Sequence, residues 1–295
     1  MLEDFTQQVA ILEKLSHPGT NKNFIHMLDE KLEQRPDDPE LLLAYANICR
    51  QTGNIVKTKE TFRKLIKCEG FNEASQMTKN SVIPTGLKSR TGMDVAPLMV
   101  FESLLTEIEL HSLLEHAITY KDQFRKAKIS LTDEYDPDKR ETLSFWQFSY
   151  CRELFETFAK RKLLYLCEGL GLPVFEILKI ELKMTNHLDG GFFQIHCDNH
   201  VSSAEEGRAI TWLLYFGKTP SMFTGGELYI FDSDRGSNTY SPHNFTKIKP
   251  IPNRLIAFPS HFRHAVAPTK LESNEFSNGR FAVSSHISKK ADKCD

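Results

Sequence analysis

His196-Cys197-Asp198 places an imidazole and a carboxylate two residues apart, at the end of the apolar run Gly191-Phe192-Phe193-Gln194-Ile195. On an extended segment side chains alternate with period two, so His196 and Asp198 share one face and Cys197 points to the other. Two such groups cannot hold a catalytic metal alone, and a third ligand must come from elsewhere in the chain. One candidate is His264, in Arg263-His264-Ala265-Val266-Ala267-Pro268, and His261 is its rival. Two neutral imidazoles and one carboxylate on one side of a metal leave positions open for substrate and O₂, a donor set that suits non-haem Fe(II). A Zn or Mn ion held by the same three residues is the competing reading.

The elements that must position these residues change character along the chain. Apolar residues recur at helical spacing over 5–15, 24–32, 41–48 and 56–66, and the breaks between them carry Pro, Gly, Asp and Asn. Residues 1–80 are therefore expected to form a small all-α domain. Its second half weakly resembles one tetratricopeptide-type unit, which cannot bury its own faces as a single copy. Residues 81–96 are turn-rich and read as a linker. From residue 97 the pattern predicts a short strand, a helix over 106–120, a long polar loop over 121–144 and a helix over 145–169. Strands are then expected over 177–185, 192–197, 210–216, 227–231, 247–251, 254–258 and 280–287. Short strands separated by Gly, Pro, Asn and Ser argue for an antiparallel sandwich or small barrel, and the whole for an α+β protein.

The chain has 295 residues, 40% of them hydrophobic and 26% charged, with a net charge of −2. That balance predicts no nucleic-acid partner, and no apolar run approaches the roughly 18–20 residues that span a bilayer. With no signal-peptide pattern at the N-terminus, a cytoplasmic location is expected. The six cysteines form no CxxC pair and read as reduced thiols.

Further residues carry a family resemblance. Asp189-Gly190-Gly191-Phe192 precedes His196-x-Asp198. Next come Arg208-Ala209-Ile210-Thr211-Trp212-Leu213-Leu214-Tyr215-Phe216, Gly225-Gly226-Glu227-Leu228 and Pro252-Asn253-Arg254-Leu255-Ile256-Ala257-Phe258, then His264-x-Val266-x-Pro268 and Gly279-Arg280-Phe281. In this order they resemble the 2-oxoglutarate- and Fe(II)-dependent dioxygenases, specifically the prolyl-4-hydroxylase-like branch, over about residues 175–290. The resemblance implies a dioxygenase domain over 97–295, built as a double-stranded β-helix (jelly roll) with flanking helices. It implies that His196, Asp198 and His264 hold Fe(II), His264 fitting the pattern better than His261. Arg280 would anchor 2-oxoglutarate, assisted by Ser284 on the same strand face and by Tyr215, with Leu213 and Leu228 beside the cosubstrate. Lys270 is the alternative anchor. His187 stands where many relatives have tyrosine, and a place in the cosubstrate pocket is one of its readings; Asn199 and His200 are candidates to face substrate.

The expected activity is hydroxylation of an unactivated C–H bond in a peptidyl or protein side chain, with 2-oxoglutarate and O₂ as cosubstrates and ascorbate as a reductant. The alternatives are the same chemistry on a free amino acid or natural-product metabolite, and an inactive scaffold in which the helical region serves protein contact or dimerisation.

Overall fold

Four helices precede the first strand of the computed structural model, which describes residues 2–16, 18–68, 75–89, 92–128, 134–199, 207–234 and 239–290. They are α1 (Leu2–Ser16), α2 (Pro18–Gln34), α3 (Pro39–Gln51) and α4 (Ile55–Leu65). Local chemistry sets their starts. The Asp38 carboxylate accepts from the Glu40 and Leu41 amides at the head of α3, where Pro39 needs no donor of its own. Asn54 accepts from the Lys57 amide and opens α4.

Leu42, Ala46, Phe62 and Leu65 of α3 and α4 enter the same apolar cluster as sheet residues Val82, Val100, Ile248 and Ile256. A buried bidentate ion pair reinforces that junction. Arg50 on α3 donates from Nη1 and Nη2 to Oδ1 and Oδ2 of Asp232, both at 2.7 Å.

The strands and remaining helices, in chain order, are β1 (Ser81–Ile83), β2 (Leu98–Glu102), α5 (Glu107–Thr119), β3 (Arg125–Lys126), β4 (Arg140–Glu141), β5 (Leu143–Phe145), α6 (Arg152–Leu170), β6 (Ile177–His187), β7 (Phe192–His196), β8 (Arg208–Phe216), β9 (Phe223–Gly225), β10 (Leu228–Ser233), β11 (Tyr240–Ile248), β12 (Arg254–Pro259), β13 (His264–Val266), β14 (Thr269–Leu271) and β15 (Arg280–Lys289). Eight form one sheet in the order β1-β2-β12-β8-β15-β6-β5-β3; five form a second, β11-β10-β13-β7-β4; β14 and β9 pair separately. Every strand pairing is antiparallel.

Period-two alternation divides the large sheet between two environments. Phe281, Val283, Trp212 and Leu214 point to α5 and α6, where they pack with Leu113, Leu114, Phe155 and Leu166. Ala282, Tyr215 and Ile256 point the other way and meet Leu228, Ile230 and Val266 of the small sheet. The chemistry-bearing residues lie between the sheets.

Three expectations need correction. Residues 81–96 are not a bare linker: they contain β1, and Val82, Ile83, Leu87, Val95 and Ala96 are buried. The expected loop over 121–144 contributes β3, β4 and the start of β5. Polar side chains are tolerated there because β3 and β4 are edge strands. The helix expected from 145 begins only at Arg152, because Phe145 pairs with Met184 of β6 and buries its ring. His17, His200 and Cys294 lie outside the described residues; Cys49, Cys68, Cys151, Cys167 and Cys197 are not joined in disulfides.

Candidate metal centre

Antiparallel pairing of β7 with β13 sets His196 directly opposite His264. Asp198 follows β7, and its amide donates to the Ser260 carbonyl at 3.0 Å, which holds the residue beside the start of β13. One ligand atom from each of the three side chains lies within 4.8 Å of the other two. His264 Nε2 is 3.3 Å from Asp198 Oδ2, and His196 Nε2 is 3.7 Å from Oδ1. His261 is not part of this cluster.

The tautomers follow from the far side of each ring. His196 Nδ1 lies 2.8 Å from the Gln194 carbonyl, and His264 Nδ1 lies 2.9 Å from the Phe262 carbonyl. A carbonyl only accepts, so both Nδ1 atoms carry the proton and both Nε2 atoms turn a lone pair toward Asp198. Burial, then the neighbouring His264 imidazole, keeps the His196 imidazole well below its ordinary value, so it stays neutral and able to ligate. Burial alone would raise the Asp198 carboxyl, but the imidazoles of His286 and His264 hold it well below the usual carboxylate range. Thr211 Oγ1 donates to Asp198 Oδ2 at 2.8 Å and orients that carboxylate.

The face of the large sheet behind this triad presents a ladder across β8, β15 and β6. Tyr215, Ala282 and Thr185 form one row; Leu213, Ser284 and Lys183 the next; Thr211, His286 and Glu181 the third. Arg280 pairs with His187 at the ladder's far end. One cavity is lined by the triad together with His187, Leu213, Leu228, Arg280 and Ser284, so these expected residues come together. Tyr215 stands beside them, with the Arg280 guanidinium 4.9 Å from its ring centre. Lys270 is exposed on β14 and does not line the cavity; Asn199 donates to the Arg208 carbonyl at 2.7 Å.

Arg280 is held in place by its neighbours. Its Nε donates to the Gly226 carbonyl at 2.6 Å, and Nη1 lies 3.4 Å from His187 Nδ1. Because a guanidinium only donates, His187 Nδ1 accepts, and Nε2 then carries the proton toward Thr142 Oγ1 at 2.9 Å. Burial, then the Arg280 charge, keeps His187 well below its ordinary value, consistent with that neutral tautomer. Gly226, at φ +67°, leaves the room the arginine needs: a Cβ there would lie 2.6 Å from Arg280 Cδ. Arg280 Nη2 and the Tyr215 hydroxyl are buried without a hydrogen-bond partner in the protein. A buried cation and hydroxyl with spare donors call for an anionic ligand in the cavity, and the carboxylate of a keto acid fits that need.

Seven residues of the cavity wall were not among the expected site residues: Arg140, Lys183, Thr185, Phe193, Thr211, Val266 and His286. The last was within reach of sequence reasoning, because it shares the β15 face with Arg280 and Ser284. Arg140 carried no such signal; it sits in the polar stretch read as a loop.

Comparison with known proteins bears on the same residues. Residues 182–287 match the family model of the 2OG-Fe(II) oxygenase superfamily. An uncharacterized PKHD-type hydroxylase of Synechocystis sp. is 40% identical over 132 residues, which is 44% of this chain and 43% of that protein. The chain thus matches under half the length of that curated relative. Among solved structures, a prolyl-4-hydroxylase of Pseudomonas putida superposes with TM-score 0.48 at 16% identity, covering 66% of this chain and 93% of its own. A prolyl hydroxylase of Trichoplax adhaerens, in complex with a hypoxia inducible factor peptide fragment, gives TM-score 0.48 at 18% identity, covering 65% of this chain and 83% of its own.

Proposed function

We propose that this chain, whose residues 182–287 match the 2OG-Fe(II) oxygenase superfamily model, is a hydroxylase of C–H bonds in peptidyl or protein side chains, with an amino-acid-like metabolite as the alternative substrate. The observation that carries the reading is the joint geometry of one cavity. Two imidazole lone pairs and a carboxylate converge at one part of it, and a buried arginine with a spare donor waits at another.

In this reading His196, Asp198 and His264 hold Fe(II), and the two facing sheets form a double-stranded β-helix around it. When bound, Fe(II) with 2-oxoglutarate and O₂ supplies the oxidising power that turns a C–H into a C–OH, one oxygen atom entering that bond and the other entering succinate as CO₂ leaves. The chain's own residues do the rest. The Gln194 and Phe262 carbonyls fix the ligand tautomers. Arg280 binds the distal carboxylate of 2-oxoglutarate, His187 and Gly226 aim its guanidinium, and Tyr215 and Ser284 add hydroxyl donors. Leu213 and Leu228 wall the aliphatic chain and exclude water from it.

The test is succinate release from 2-oxoglutarate by Fe(II)-loaded protein, with ascorbate keeping the iron reduced and Asp198→Ala as control, alongside calorimetric 2-oxoglutarate binding to Zn(II)-loaded protein. Turnover and binding lost in the variant are expected. Neither turnover nor binding in the wild type would overturn the reading and favour a scaffold role.

A further inference from the structure

The strand that carries His196 holds one residue more than its partner. From His264 to Val266 β13 advances two residues, while β7 opposite advances three, from His196 to Phe193. The additional residue is a β-bulge, a device that re-aims side chains. Strict alternation would set Phe193 on the face opposite His196. Here Phe192 and Ile195 pack outward with Val9 and Leu12 of α1, whereas Phe193 joins the inner cluster and lines the metal cavity.

Edge strand β4 fixes the bulge. Arg140 pairs with Phe193 and Glu141 with Phe192, and the Gln194 amide donates to the Lys139 carbonyl at 2.9 Å. The Arg140 guanidinium lies 4.4 Å from the centre of the Phe193 ring. Phe193 in turn stacks on the His196 imidazole, 3.5 Å between centroids and 21° from parallel. A metal needs the Nε2 lone pair aimed within about 10–20°, and the bond from Nδ1 to the Gln194 carbonyl fixes one point of the ring, not its plane. The torsion that turns that plane is broad for histidine, so a second constraint is required. His196 is also the more open of the two ligand rings, its side chain 17% exposed against 5% for His264.

We infer that Phe193 is a positioning residue: its ring, seated against Arg140, holds the plane of the His196 imidazole so that Nε2 points at the metal. This deepens the hydroxylase reading and rests on it, since His196 is there an iron ligand. The bulge is what makes the stack possible, because without it Phe193 would join the outer face beside α1. A leucine at 193 fills much of the same apolar space but offers no flat face, and the imidazole is then free to turn about its bond to Nδ1's acceptor. Arg140 acts one layer further out, through the ring it covers.

The test compares full-length wild type with Phe193→Leu. Zn(II) affinity is read by competition with a chromophoric chelator, ligand geometry by the visible absorption bands of the Co(II)-loaded protein, and fold stability by melting of the metal-free protein. Phe193→Leu should lose about tenfold in Zn(II) affinity, and its Co(II) bands should shift in position and intensity. Its metal-free melting temperature should fall by only a few degrees. Arg140→Met should lose about two- to fivefold in affinity alone and nothing more when added to Phe193→Leu; an equal loss in both backgrounds overturns its place behind the ring. The inference is overturned if Phe193→Leu binds Zn(II) within twofold of the wild type. It is overturned equally if affinity falls while the Co(II) bands stay unchanged, because that describes a general loosening of the fold. Should Phe193→Leu not fold, Phe193→Met, flexible and without a flat face, carries the same readouts. A wild type that binds neither Zn(II) nor Co(II) sinks the hydroxylase reading itself, whereas a wild type that binds both beside an unaltered variant sinks only the role of Phe193.

Discussion

Replacing Arg280 by methionine should separate stability from binding. The side chain is buried, and burial pulls its pKa below the ordinary value, so the folded protein holds a charge it would shed if it could. An uncompensated buried charge costs several kcal/mol. Against that stand the bonds to the Gly226 carbonyl and His187 Nδ1, worth about 1.5–3 kcal/mol each as charge-assisted contacts. Methionine removes both terms and retains most of the stem volume. The stability of the metal-loaded protein without 2-oxoglutarate should therefore change by no more than about 2 kcal/mol, a few degrees in Tm. Binding should respond differently. Loss of one partner of a buried charge pair costs about 2–5 kcal/mol, a drop in 2-oxoglutarate affinity of roughly 30- to 4,000-fold.

Thermal scans with and without 2-oxoglutarate give both quantities. At a ligand concentration 100 times the wild-type Kd the wild type gains about 2.7 kcal/mol, whereas Arg280→Met gains no more than about 0.9 kcal/mol. The reasoning is refuted if the variant loses about 4 kcal/mol or more without 2-oxoglutarate while binding it within threefold of the wild type. Arg280 would then be a structural cation.

Three further outcomes are expected. Gly226→Ala forces a left-handed φ on alanine and sets its Cβ 2.6 Å from Arg280 Cδ and 2.7 Å from Thr269 Cγ2; 2-oxoglutarate affinity should fall at least about tenfold by calorimetry, with about 1–2 kcal/mol of backbone strain added. Asp232→Ala leaves Arg50 buried without a counter-charge and should cost about 3–5 kcal/mol in urea unfolding, while Arg50→Met with Asp232→Leu should restore most of it. Burial alone would raise the Glu181 carboxyl, but hydrogen bonding and charge from Arg208 bring it down to about 2. Its folded pKa is depressed below the ordinary 4.5, so its stabilisation is full above pH 4.5 and is lost as pH falls toward 2. That loss is about 3 kcal/mol, and Glu181→Gln should flatten it in acid-unfolding curves.

Much of the candidate site was legible in the chain because it depends on short-range regularities. Alternation placed His196 with Asp198 and Arg280 with Ser284, and it still holds in the cavity. Helix caps at Asp38, Asn54 and Thr106 lie where Asp, Asn and Thr precede periodic apolar runs. The strands carrying Arg280 and Tyr215 were expected within about two residues of where they lie. Failures came where a residue's state depends on a distant partner. Leu143-Ser144-Phe145 is a strand only because β6 offers it an edge, and β1 is buried only because α4 and β2 cover it.

What the sequence determined by itself is the inventory of candidate ligands and the face each occupies on its own strand, since backbone geometry sets that face. What only the tertiary structure decided is which faces meet. The choice of His264 over His261 rests on pairing of β13 with β7, and the aim of Arg280 rests on His187 of β6 and Gly226 of the β9–β10 connection. Arg140 and Lys183, 43 positions apart in the chain, meet in the wall of one cavity. Such contacts are fixed by strand register and packing across the core, and no local pattern encodes either.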